Sequence, residues 1–387
     1  MARRRSIETV AAQAGVGADR AYGAVSAPIY TTAIYRYDAF GKNRGFDYSR
    51  AENPTRQAAE KTLADLEGGA RAVAFASGMA AVSAVMTLFR SGDHVLCSDD
   101  LYGGTYRYFE KLMRPYGLSF DYVDMGNPEA VARRIGRKTR AAFLETPTNP
   151  LMKIADIREV ARICRRKKVL SIVDNTFMSP LLQRPLALGA DVVVHSATKF
   201  LGGHNDLIGG AVITAGAELG EKIAFAQKAA GAILSPFDSW LLLRGIKTLG
   251  VRMARAQRNA EQLATFLESH PFVRKVFYPG LPGHPRRDLH FAQATGPGAI
   301  ISFELARESA VPPFLNALKT VLLAESLGGV ESLVTHPATM THADIPREEQ
   351  EAVGLTPALV RLSVGVEDVD DLRADIASAL RIAERRS

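Results

Sequence analysis

"DVVVHSATKFLGGHNDLIGG", Asp191 to Gly210, runs three valines into a His-Ser-Ala-Thr-Lys cluster, then glycines and a His-Asn-Asp triplet. The valines predict a buried strand that ends beside a lysine. An ammonium at the edge of a core is costly unless it is paired or neutralised. A lysine at a strand tip serves as an amine nucleophile once a desolvated or cationic setting lowers its pKa. In an extended chain, Ser196 and Thr198 share one face and Lys199 points another way. The two hydroxyls then suit a phosphate while the amine addresses a second group. By itself the stretch also fits a lysine lying along a loop with its head in water.

Working outward, "RAVAFAS" (Arg71–Ser77), "DHVLCSD" (Asp93–Asp99), "SFDYVD" (Ser119–Asp124), "RAAFLETP" (Arg140–Pro147) and "VLSIVDN" (Val169–Asn175) are further short apolar runs. Each stops at turn or cap residues. Helical spacing follows the first of them as far as Gly92, and Asp156–Lys168 reads as another helix. Short apolar strands alternating with helices predict an α/β fold with a mostly parallel sheet covered on both faces. Ligands bind such sheets at the carboxyl ends of the strands. Residues 1–55 lack clear periodicity and predict an arm; residues 56–245 form the sheet domain. Residues 246–387 predict a smaller α+β domain. Asp238–Ser269 reads as one long helix, and strands are predicted at "KVFYPGL", "AIISFEL" and "LVRLSVGV" before a last helix, Asp368–Glu384.

The 387 residues are 47% apolar and 23% charged, an ordinary soluble composition. The net charge of +7 is scattered, apart from short clusters such as Arg162–Lys168, so no nucleic-acid stripe is expected. Cys97 and Cys164 have no metal-ligand or Cys-x-x-Cys spacing, which predicts reduced thiols, no metal site and a cytoplasmic setting. The basic start is followed by no apolar h-region, and no apolar run has the length of a membrane span.

The strand ends carry the chemistry. Gly78 and Met79 follow Ser77 at a helix start, where backbone N–H groups suit a phosphate; an ordinary Ser cap is the alternative. Tyr102 precedes a Gly-Gly turn and can stack on a planar ring or lie half-buried. Asn149 lies between two prolines, where it can donate to a ligand oxygen or serve a turn. Asp174 ends an apolar strand, where it is either paired with a ligand or caps a turn. A phosphate cradle, a stacking ring, a buried acid and an amine nucleophile on one sheet are together what pyridoxal 5'-phosphate (PLP) needs. The lysine would carry the cofactor as a Schiff base and the acid would pair with the pyridinium nitrogen.

"YSRAENPTR", "SGMAA", "YGGTYR", "ETPTNP", "VDNTF", "SATKFLGGHND", "AESLGGVES" and "RLSVGVED" resemble, in order and spacing, the transsulfuration family of PLP-dependent enzymes. The resemblance runs from about residue 20 to about residue 380. It implies the aspartate-aminotransferase-like fold, fold type I, in homotetramers built from catalytic dimers. It further implies that Lys199 holds the cofactor and shuttles protons, Asp174 pairs with the ring nitrogen and Tyr102 stacks on the ring. Gly78, Met79, Ser196 and Thr198 would bind the phosphate, and Tyr48 and Arg50 would reach the phosphate of a neighbouring subunit. Arg361 would clamp the substrate carboxylate, with Ser326 and Asn149 in support. Glu325 is similar to members that work at the γ-carbon, and a carboxylate there suits a long amino-acid substrate with a distal ammonium. Gly104 stands where methionine γ-lyases usually carry cysteine. Asn205 looks more like the synthases than the γ-lyases. The resemblance thus points to γ-replacement on an O-acylhomoserine by cysteine or sulfide, giving cystathionine or homocysteine. Cystathionine γ-lyase is the alternative reading, and a non-catalytic cofactor-binding relative a more distant one. Pro297 departs from the family pattern and predicts a local turn change.

Overall fold

The structure, a computed structural model, describes residues 5–386. Its larger sheet has seven strands: β1 (Arg71–Phe75), β2 (His94–Ser98), β3 (Ser119–Val123), β4 (Thr139–Glu145), β5 (Leu170–Asp174), β6 (Val192–Ser196) and β7 (Gly210–Thr214), ordered β1-β7-β6-β5-β4-β2-β3. Only β7 runs against its neighbours. The strand order reverses at β4, where β2 and β5 flank it, so the ends of β2, β4, β5 and β6 open toward one crevice.

Alternation along the strands fills two cores. Ala74, Val193 and Ile213 face the helix Pro54–Glu67 through Leu63 and Leu66. Val73, Phe75, Ile172, Val192 and Val194 face the helix Gly78–Met86 through Val82 and Val85. Both faces are therefore apolar, as helices on both sides of a sheet require. Cys97 and Cys164 are free and buried, and burial raises both thiols, Cys164 to about 12.

The second sheet has the order β10-β11-β12-β9-β8, from β8 (Val273–Phe277), β9 (Ile300–Leu305), β10 (Leu322–Leu323), β11 (Leu333–Thr335) and β12 (Leu359–Ser363). The last helix, Val369–Arg386, packs its Leu372, Ile376 and Leu380 into the core beside it.

Several elements differ from the sequence expectation, the two short strands β10 and β11 among them. The helix after β1 ends at Met86, with Thr87 as its cap, rather than running to Gly92. The long helix is two, Pro236–Ile246 and Leu249–Ser269. At the break, the Arg252 guanidinium donates to Gly245 O (2.8 Å) and Phe200 O (2.9 Å), tying both helices to the lysine loop. Strand β7 was not expected; it begins with glycine because a Cβ on Gly210 would lie 2.1 Å from Ser77 O.

Candidate active site

The five chemistry-bearing stretches meet at the carboxyl ends of β1, β2, β4, β5 and β6. Strand β6 stops at Ser196, and residues 197–200 form a turn, closed by Lys199 N donating to Ser196 O (3.2 Å). Ser196, Thr198 and Lys199 therefore do not alternate along a strand, because the turn takes over after Ser196. Thr198 Oγ donates to Gly209 O (3.1 Å) and accepts from Gly209 N (3.0 Å). Its single proton is engaged, so it could donate to a phosphate only after exchanging that bond.

Ser77 does cap its helix, accepting from Ala80 N at 3.0 Å. Among the described residues the amides of Gly78 and Met79 find no acceptor, as expected of a helix's first turn. Gly78 lies against Ser196, and a Cβ on it would sit 2.9 Å from Ser196 Cβ. This leaves a cradle of two amides and a hydroxyl, small enough that a side chain on Gly78 would fill it. The Met79 thioether packs beside Thr105.

Lys199 Nζ donates to Ser326 Oγ at 2.6 Å. Burial, with the nearby Arg361 charge, lowers Lys199 to about 8, while Glu325 opposes the shift. Ser326 has φ 95°, a left-handed backbone that strains a non-glycine residue and persists only where its surroundings hold it. Here Lys199 holds its hydroxyl and Arg361 its carbonyl (2.9 Å). The Arg361 guanidinium, 2% exposed, also donates to Asn149 Oδ1 at 2.8 Å. Among the described residues its buried Nε finds no partner, and burial lowers the group to about 10. A fully buried guanidinium with an unused N–H is what a substrate carboxylate would satisfy.

Asp174 is raised by burial, and it accepts from Thr176 N at 3.0 Å. It thus caps a turn and, among the described residues, has no salt-bridge partner, a deficit that a pyridinium would fill. Glu145 pairs with Asp174 across β4 and β5, is buried, and is raised well above the usual range by burial and then by Asp174. It accepts from Tyr102 N at 3.1 Å. Glu145 lies within a recognised motif but was given no role from the sequence; a carboxylate at a strand end beside another carboxylate was the available signal. The Tyr102 ring is 39% exposed, and a Cβ on Gly104 would lie 2.5 Å from its Cε1. Glycine at 104 therefore leaves the ring its place.

Glu325 is exposed, yet its charge reaches both Lys199 and Arg361. Asn205, at φ 55°, donates to Glu331 (2.7 Å) and fixes the loop after the lysine to the loop after Ser326. Tyr48 and Arg50 do not join this chain's own cluster. Both are exposed, with the Arg50 guanidinium 5.1 Å from the Tyr48 ring centroid and donating to Lys228 O. A groove of about 850 Å³, lined by Leu151, Lys153, Arg274, Lys275 and His284 among others, lies beyond the Asn149 loop and does not include Lys199.

The residues fit PLP: a lysine with a depressed pKa, a buried carboxylate short of a cation, and a cradle that a Cβ would close. With the sheet topology, they define the class as a fold type I PLP-dependent enzyme. The family model for the Cys/Met metabolism PLP-dependent enzymes matches residues 8–381, and the chain belongs to that family. It is 51% identical to the cystathionine gamma-synthase/O-acetylhomoserine (thiol)-lyase of Bacillus subtilis, covering 97% of this chain and 96% of the relative. It is 50% identical to that organism's cystathionine gamma-lyase (96% and 98% covered) and 48% identical to a cystathionine beta-lyase of Lactococcus lactis (97% and 99%). Among solved structures, the cystathionine gamma-lyase of Lactobacillus plantarum complexed with L-serine matches with TM-score 0.96 and 46% identity, over 98% of this chain and 100% of that one.

Proposed function

We propose that the protein catalyses γ-replacement on an O-acylhomoserine, with cysteine or sulfide as the incoming thiol, in a homotetramer in the cytoplasm. The observation that carries this reading is Glu325, a carboxylate at the mouth of the site whose charge acts on both Lys199 and Arg361. It would offer the ammonium of an incoming cysteine a partner.

When bound, PLP supplies the electron sink that stabilises negative charge at the substrate carbons. Lys199 would hold the cofactor, then take one proton from Cα and assist the loss of a second proton from Cβ. Its lowered proton affinity suits that work near neutral pH. Arg361, oriented by Asn149 and Ser326, grips the α-carboxylate. Asp174 would pair with the ring nitrogen, Tyr102 would stack on the ring, and Gly78, Met79, Ser196 and Thr198 would hold the phosphate. The acylate leaves from Cγ and the thiol adds there, its proton passing to solvent or to the leaving carboxylate.

A second reading, γ-elimination of cystathionine, uses the same residues and is supported by the likeness to the Bacillus subtilis gamma-lyase. The test incubates the holoenzyme with O-acetyl- or O-succinylhomoserine plus cysteine, and separately with cystathionine alone. Cystathionine formed from the ester is the expected result. Rapid 2-oxobutyrate from cystathionine, with no cystathionine formed from either ester, would replace this reading with the lyase, and pyruvate would mark cleavage at Cβ.

A further inference from the structure

A buried polar cluster lies directly behind the strand ends. Glu67 closes the helix Pro54–Glu67, and its side chain is 0% exposed. Two effects work against a carboxylate there: burial, and the negative end of the helix dipole. An apolar side chain of similar volume would serve packing as well or better. Glu67 Oε1 instead stands 2.6 Å from His195 Nε2 and accepts from Asn175 Nδ2 at 3.0 Å. Asn175 Nδ2 also donates to Gln183 O (2.8 Å), and Asn175 Oδ1 accepts from Gln183 Nε2 (3.1 Å). Gln183 Nε2 reaches on to Thr146 O at 2.9 Å, just past the end of β4. Among the described residues, three buried atoms of the cluster, Glu67 Oε2, His195 Nδ1 and Gln183 Oε1, find no partner.

The placement connects this cluster to the site. The register aligns Asp174 with Val194, so Asn175 falls beside His195 and Thr176 beside Ser196. Side chains alternate in face, so Asp174 and Ser196 lie on the cofactor side while Asn175 and His195 lie behind them. The front is tied by Ser196 N donating to Thr176 Oγ (2.9 Å), and Thr176 N donates to Asp174. The back is tied by Glu67 through His195 and Asn175. We propose that Glu67 and His195, with Asn175 and Gln183, are positioning residues that fix the ends of β4, β5 and β6, and through Asp174 and Ser196 the ring and phosphate of bound PLP. This inference holds for whichever reaction the enzyme catalyses.

Glu67→Gln keeps the size and removes the charge; His195→Asn removes the partner. In each holoenzyme, the PLP dissociation constant is expected to rise about tenfold, as for loss of one charge-assisted hydrogen bond. The visible circular dichroism of bound PLP is expected to weaken, since it reports ring orientation. His290→Asn is the control: it removes a buried histidine bonded to Gly296 O in the other domain and should leave both signals unchanged. Wild-type PLP affinity and wild-type visible dichroism in both folded variants would overturn the proposal, as would an equal loss in the control. If either variant fails to fold, ¹⁵N-histidine spectra of the unsubstituted protein decide. The His195 ring signals should shift when PLP is added to the apoprotein, and unmoved signals would overturn it.

Discussion

Burial holds Lys199 at about 8, against 10.5 for a free lysine, and Arg361 adds to the shift. A lowered pKa means that the amine loses its proton earlier as pH rises, so the nucleophilic fraction grows up to about 8 and then levels. PLP attachment to the apoprotein, followed by stopped-flow absorbance, should therefore accelerate about tenfold per pH unit below that point. A rate still climbing at the same slope toward pH 10 would mean the amine keeps an ordinary pKa. Lys199→Ala should remove both turnover and the visible band of the covalent cofactor near ~420 nm; turnover retained by this variant would defeat its assignment. Gly104 offers a subtler change. Its Cβ would meet the Tyr102 ring at 2.5 Å, so Gly104→Ala must swing the ring off its seat. A displacement of about 1 Å is expected to lower kcat/KM by about ten- to a hundredfold while Tm hardly moves. Wild-type kcat/KM in that variant would show that the ring position is not critical.

Strands β1 to β6 are legible in the sequence because a strand buried on both faces is a short apolar run closed by turn residues, and Asp174 and Ser196 stand where such runs stop. Strand β7 hides because the Gly209-Gly210 pair at its start reads as loop; Gly210 is glycine because Ser77 presses on it. The helix break at Lys247–Thr248 hides because apolar spacing continues across it, and the Arg252 bonds that fix it come from tertiary structure. Glu67 hides for a similar reason: at the end of an amphipathic helix, a glutamate reads as solvated. The "SLGG" motif, in contrast, gains a physical account. Gly328 has φ 79°, and a Cβ there would lie 2.6 Å from Phe200 N, so the second domain's loop presses directly on the lysine turn. Gly328→Ala combines a backbone clash with left-handed strain and should cost about 1–3 kcal/mol. Because that loop carries Ser326, PLP affinity should fall with Tm. A Tm loss with unchanged PLP affinity would separate the loop's packing from its hold on Lys199.

Apolar groups exposed along the amino-terminal stretch bear on the whole assembly. Tyr22 (95%), Val25 (72%), Ile34 (70%) and Phe40 (107%) stand in the open, and Tyr48 and Arg50 lie at the end of this run. Apolar exposure on this scale is what the proposed homotetramer would cover with another chain. The arm is nonetheless firmly rooted: Asn53 caps the helix Pro54–Glu67 and bonds Tyr30 O and Ser49 Oγ, and Arg56 donates to Ser49 O and Ala51 O. An arm anchored at its base and open along its length suits the service in a neighbour's site that the family resemblance implies for Tyr48 and Arg50. That service predicts complementation between two inactive variants. Arg50→Ala breaks the arm, and Lys199→Ala breaks the body of the site. In a mixed pair, one site combines both defects. The other joins an intact Lys199 with an intact partner arm. Random reassociation makes half of the pairs mixed, so about a quarter of all sites should be whole. Refolding the two variants together should recover about that share of the wild-type rate, while each refolded alone stays near zero. If the arm instead served its own chain's site, every site would keep one defect, and the mixture would be no more active than its parts.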